Sequence, residues 1–293
     1  MVLFENNFIE YNWSNRNSRH DSQDEFNINY NPCSRKPMDF RQECLDVARK
    51  LAAQAKQLDL PIRVLLSGGA DGEVVCRSFY DAGVPFEAVT IRYKKYHWIE
   101  WNHATQYCQR YNIPHSVIDV DEDKILEEDV PKYAAEYLCK DPYVTFDILR
   151  FKLAGGFPVF GSGDIVLEQK DDKIISQETG SLNIPRLYQI KHNQPGCYQF
   201  FQYTPEIMLS FLEDPIIKKW IELAPQIGFN DVRYFKAYMY KSYWPDMEVR
   251  YKYYGYERFA GKYYKKMNEL SQLYSYKREA VDIPLETLIS QLK

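Results

Sequence analysis

Between Arg63 and Val75 the chain reads RVLLSGGADGEVV, and the residues Ser67-Gly68-Gly69-Ala70-Asp71-Gly72 at its centre have the types needed to hold an anion. Adjacent glycines let backbone N–H groups come close to a ligand. A helix-like pattern follows at once, and a helix N-terminus offers unpaired N–H groups and a partial positive charge. Ser67 adds a hydroxyl donor. Asp71 repels phosphate by itself but suits Mg²⁺, which prefers carboxylate, water and phosphate oxygens. The same residue types would also serve as a tight turn, so the surrounding elements decide between the two.

A second stretch of this kind, Gly161-Ser162-Gly163-Asp164, lies almost a hundred residues downstream. Other nucleotide loops are excluded. The GxxxxGK[ST] pattern is absent, and Val166 stands where a dinucleotide fingerprint needs its third glycine.

The elements that must position both loops follow from periodicity. Phe40, Cys44, Val47, Leu51, Ala55 and Leu58 recur at helical spacing. Apolar runs at 62–66, 86–93, 115–121 and 157–161 predict strands, and helical patterns at 73–83, 98–112, 123–139 and 145–154 separate them. This alternation predicts an α/β fold, a parallel twisted sheet with helices on both faces. Ligands bind such sheets beyond the carboxyl ends of the strands, where both glycine-acid loops fall. Residues 165–200 read as a polar hairpin. From near residue 200 the chain turns helical, with Thr204 and Pro205 as a helix start. The expected organisation is an N-terminal extension (1–38, with a short strand at FNINYN), a nucleotide-binding domain (39–200) and a helical Tyr/Lys-rich region (201–293).

Composition narrows the class. The 293 residues carry 45% hydrophobic residues and a net charge of −4, which disfavours a protein coated to bind nucleic acid. No apolar run is long enough to span a membrane, and the N-terminus lacks a secretion pattern, so a cytoplasmic location is expected. The six cysteines form no CxxC, and the histidines show no ligand spacing. Asp119 and Asp121 sit at a strand end on the presumed active edge. Aromatic residues reach 16%, with 25 tyrosines. Many interleave with Lys and Arg over 233–278, a pattern that suits packing, single-stranded nucleic acid, or closure of the active site by Lys241, Arg250 or Lys252.

SGGADG resembles the SGGxDS signature of the PP-loop ATP pyrophosphatase superfamily, and the surrounding order of elements over roughly 39–170 is similar too. FGSGDIVLEQ resembles the GxGxDE stretch of asparagine-synthetase-like members, and YKSYWPDMEVRYKYYGYERF resembles a segment of small phage-encoded members. The resemblance implies a Rossmann-like fold and ATP cleaved between its α and β phosphates, with Mg²⁺. It implies that Ser67, Gly68, Gly69, Ala70 and Gly72 cradle pyrophosphate, with Gly161 and Gly163 in the facing loop. Asp71 and Asp164 would bind metal and act in catalysis, and Ile91 and Arg92 would lie against adenosine, mainly through backbone. The implied product class is an amide or amine rather than a thiolated product, because the cysteines are solitary. Small-molecule substrates are expected, with tRNA as a candidate partner. The departure is Gly72, where the signature has serine, and Glu73 adds a negative charge beside it. Both motivate a second expectation, an ATP-binding regulatory protein with weakened turnover, and the aromatic-basic C-terminal region motivates a third, a nucleic-acid (tRNA) modification or binding factor.

Overall fold

The computed structural model describes residues 9–13, 25–93, 98–180, 183–227, 232–249, 260–274 and 280–293. Two N-terminal strands, β1 (Ile9–Trp13) and β2 (Phe26–Tyr30), pair antiparallel. β2 is the strand expected at FNINYN, and it buries Phe26, Ile28 and Tyr30. Helix α1 (Phe40–Gln57) starts at Asp39, whose carboxylate accepts from the Gln42 N–H, and buries the stripe read from the sequence through Phe40, Cys44, Val47, Leu51 and Ala55.

The central sheet follows: β3 (Ile62–Leu65), α2 (Ala70–Asp81), β4 (Glu87–Tyr93), α3 (Trp98–Tyr111) and β5 (His115–Val120). The chain then passes through α4 (Glu122–Lys124), a π turn at Ile125–Asp129, α5 (Val130–Tyr137) and α6 (Pro142–Ala154) into β6 (Phe157–Phe160). A continuous helix over 123–139 is therefore not formed. Pro131, near the start of α5, has no N–H for a regular ladder there. All four strands are parallel, in the order β5-β4-β3-β6. The chain moves outward from β3 to β5 and then returns to the other side of β3. The carboxyl ends of β3 and β6 therefore flank the point where strand order reverses, the place such sheets bind ligands.

The 165–200 excursion holds the expected hairpin, β7 (Leu167–Lys170) and β8 (Lys173–Thr179), and also α7 (Ile184–His192). The C-terminal region is mainly helical, with α8 (Pro205–Glu213), α9 (Pro215–Ile227), α10 (Val232–Tyr243) and α11 (Ala260–Leu273). Thr204 caps α8 as expected, accepting from the Ile207 N–H. A strand not anticipated from sequence, β9 (Ala280–Pro284), pairs antiparallel with β8 before α12 (Leu285–Leu292) ends the chain. The segment after β2 meets α12: the Cys33 N–H donates to the Leu292 carbonyl at 2.8 Å. No described helix is long and apolar enough to cross a membrane.

Leu288 is fully buried in α12, which packs against α8 and β9. Leu288→Ala should lower stability by about 2–5 kcal/mol in urea unfolding, the usual cost of a core leucine.

Candidate active site

The glycine loop after β3 has little freedom of position. Gly68 holds φ +97°, and a Cβ there would lie 1.9 Å from the Glu100 carbonyl oxygen of α3. Gly69 caps α2 without a side-chain hydrogen bond, which leaves the first turn of that helix to an outside anion. From behind, the buried Thr90 hydroxyl donates to the Leu66 carbonyl at 2.6 Å and contacts His115 Nε2 at 2.8 Å.

The second glycine loop touches the first. A Cβ on Gly161 would lie 2.8–2.9 Å from the backbone of Asp71 and Gly72, so only glycine lets β6 deliver its loop there. Gly72 is tight as well: a Cβ would meet the Leu65 carbonyl oxygen at 3.2 Å and Leu66 Cδ1 at 3.4 Å. A side chain at position 72 would press on these neighbours by a few tenths of an ångström. Glu73 adds no free charge, because it is buried in an ion pair with Arg77 at 2.8 Å, and Arg77 also binds Asp246.

A cleft of about 430 Å³ opens between the loops. Ser67, Gly69, Asp71, Gly72, Ile91, Gly161, Gly163 and Asp164 line it. Gly68 and Ala70 belong to the loop but do not line the cleft. The Arg92 side chain points to the opposite sheet face, paired with Asp119 at 2.6 and 2.9 Å and lying over the Trp101 ring. Asp121 caps α4 through the Asp123 and Lys124 N–H groups. Neither Asp119 nor Asp121 reaches the cleft.

Asp71 and Asp164 are brought together by a residue that sequence reasoning missed. Lys236 of α10 is buried, and its Nζ lies 2.9 and 3.1 Å from the two Asp71 oxygens and 2.7 Å from Asp164 Oδ2. Burial alone would push this ammonium's pKa down, but the carboxylates of Asp164 and Asp71 outweigh it and hold it above its ordinary value. One helical turn on, the Tyr240 hydroxyl donates to Asp71 Oδ1 at 2.9 Å. A lysine within the apolar stripe formed by Ala237, Met239 and Tyr240 was the available signal. Of the lysines and arginine expected to reach back, Lys241 is exposed, and Arg250 and Lys252 lie outside the described residues.

The far walls are polar, and they too were missed. Asp147 binds Arg150 Nη1 and the Tyr198 hydroxyl, both at 2.6 Å, and burial pushes its pKa up against both partners. Glu178 of β8 accepts through Oε1 from Gln202 Nε2 at 2.6 Å and from the Tyr30 hydroxyl at 3.1 Å. Burial, with a smaller push from Asp164, raises its pKa from 4.5 to about 7 against those hydrogen bonds.

The carboxylate pair beside a phosphate-type cradle has the donor chemistry of a Mg²⁺ site. Among the described residues no third His, Cys, Asp or Glu joins the pair, so phosphate and water would have to complete the shell.

Residues 62–132, running from β3 into α5 and including the Ser67–Gly72 loop, match the family model of the queuosine biosynthesis protein QueC. The matched segment resembles a family of the PP-loop ATP pyrophosphatase superfamily. No curated protein sequence matches the chain. Among solved structures it is similar to a predicted subunit of tRNA methyltransferase from Methanocaldococcus jannaschii (17% identity, TM-score 0.31, 47% of this chain and 66% of that one). The chain thus spans just under two thirds of that structure. It is also similar to NMN synthetase from Francisella tularensis (11%, 0.36, 80% and 94%) and to NH3-dependent NAD synthetase from Campylobacter jejuni (12%, 0.35, 73% and 100%).

Three substitutions check this geometry. Gly161→Ala should destabilise by about 1–3 kcal/mol through overpacking, whereas Gly261→Ala, in open space on α11, should be neutral or stabilising in the same thermal melt. Glu178→Gln keeps the Oε1 acceptor and removes the ionisation. The raised folded-state pKa means that wild-type stability is fully present below about 4.5 and declines as pH rises through about 7. Unfolding measured across that window should show a slope in the wild type and a flatter profile in the variant.

Proposed function

We propose that this chain is an ATP-dependent adenylating enzyme. It cleaves ATP into AMP and pyrophosphate, activating a small-molecule substrate for transfer of an amide or amine nitrogen. The observation that carries the reading is the meeting of the two glycine-acid loops where strand order reverses, with Gly161 against the backbone of Asp71 and Gly72.

In this reading Ser67 and the free first turn of α2 receive the pyrophosphate, and Val89 and Ile91 of β4 form an apolar wall for adenosine. A substrate oxygen attacks the α-phosphate, and pyrophosphate departs against the N–H groups of the loop. Asp71 and Asp164 would hold Mg²⁺, which when bound neutralises charge on the phosphates. The nitrogen nucleophile then displaces AMP, approaching from the side of Glu178 and the Asp147–Arg150 pair.

Two observations favour nitrogen over sulfur. All six cysteines are unpaired, and five are buried. Burial pushes the Cys44 and Cys76 thiols well above their ordinary pKa and Cys197 up to about 12, which leaves no ready thiolate at these three positions. The aromatic-basic segment supports active-site closure over a nucleic-acid surface. Lys236, Tyr240, Tyr243 and Trp244 spend their polar groups on Asp71, Asp164, Asp214 and Asp81. The QueC match stops at residue 132, ahead of Gly161, Glu178 and Lys236, so it bears on the nucleotide half alone.

The test supplies ATP labelled at the α-phosphate together with pooled carboxylic acids, amino acids, ammonium and tRNA. Labelled AMP with stoichiometric pyrophosphate is expected, and Asp71→Asn should slow its formation by on the order of a hundredfold. ATP binding without pyrophosphate under every condition would favour the regulatory reading instead.

A further inference from the structure

We propose that Lys236 competes with the divalent cation for Asp71 and Asp164, so that metal enters this cleft with nucleotide and not ahead of it. The inference rests on the reading of the cleft as an ATP and Mg²⁺ site.

Both oxygens of Asp71 lie within 3.1 Å of the Lys236 ammonium, and Tyr240 donates to one of them as well. Asp164 gives Oδ2 to the same ammonium at 2.7 Å. Mg²⁺ binds carboxylate oxygen at about 2.1 Å and would need lone pairs that already face a cation. The ammonium is one positive charge against two negative ones. A dication added beside it would place two cations a few ångströms apart at a half-buried site, where such repulsion costs on the order of a few kcal/mol.

Nor can Lys236 simply withdraw. It is 8% exposed, and an ammonium left buried without a partner is strongly unfavourable. ATP changes both sides of this balance. Its phosphates would sit on Ser67, Gly69 and Gly72, which line the same cleft as the two carboxylates. They supply new negative partners for the ammonium, and their oxygens complete the metal's shell. Metal and nucleotide therefore favour each other's binding, and by linkage the coupling is reciprocal. Lys236 is a positioning residue here. It sets the occupancy of Asp71 and Asp164 and needs no bond to the reacting atoms to do so.

The experiment uses Mn²⁺ alone as probe on the full chain, with free Mn²⁺ read by electron paramagnetic resonance. The wild type should show no saturable binding at sub-millimolar concentrations. Lys236→Met, which keeps the stem and removes the charge, should gain a site with affinity raised roughly tenfold or more. Lys236→Arg should behave like the wild type, and Asp71→Asn added to Lys236→Met should abolish the gain. A merely structural lysine would create no metal site when neutralised. Saturable Mn²⁺ binding by the wild type that Asp71→Asn removes would overturn the proposal, and this arm needs no Lys236 variant to fold. So would a folded Lys236→Met, by circular dichroism, with no gain. Failure of the functional reading is separate: it shows as a wild type that binds no ATP, with or without Mg²⁺.

Discussion

The backbone contact between Gly161 and the Asp71–Gly72 peptide is the constraint on which the cleft depends. It joins the ends of two neighbouring parallel strands, β3 and β6, which are separated in sequence by almost the whole sheet domain. Any side chain at Gly161 would part the loops and with them the two carboxylates. The tight fit at Gly72 and at Gly68 extends the same demand around the loop, so the glycines reflect close approach as much as backbone conformation.

Around that contact the rest of the chain supplies walls and charge. The N-terminal strand β2 sends Tyr30 to Glu178, and the C-terminal strand β9 completes the sheet that carries Glu178. Helix α10 reaches the two carboxylates. Its Tyr240 ring stacks on Phe40 and Phe201 while its hydroxyl reaches Asp71, and its Lys236 bridges the acidic pair. Buried charges are costly unless paired, which is why these three ionic side chains converge. Segments remote in sequence are therefore coupled to the state of one site.

Much of this was legible in the residues. The strands from β3 to β6 are apolar runs that end at glycine or a charged turn, and their alternation with helices fixes the sheet type. The parallel order then puts both loops on one edge with no contact information needed. Other features were hidden for physical reasons. β9 buries only Val281 and Ile283, and so short an alternation carries no signal amid helices. Arg92 lies next to Ile91 in sequence but on the opposite sheet face, because side chains alternate along a strand. Glu178 and Asp147 gain their meaning from burial, which a local pattern cannot report. Lys236 was closest to being readable, as a charged residue on the apolar face of α10.

The central claim is that the loop from Ser67 to Gly72 cradles the pyrophosphate of ATP. The most direct measurement is a crystal structure with a non-hydrolysable α,β-methylene analogue of ATP and Mg²⁺. The account predicts β- and γ-phosphate density on the loop amides and adenosine against Val89 and Ile91, with the α-phosphate between Gly69 and Gly161. Nucleotide bound elsewhere on the chain, with this cleft left to solvent, would contradict it.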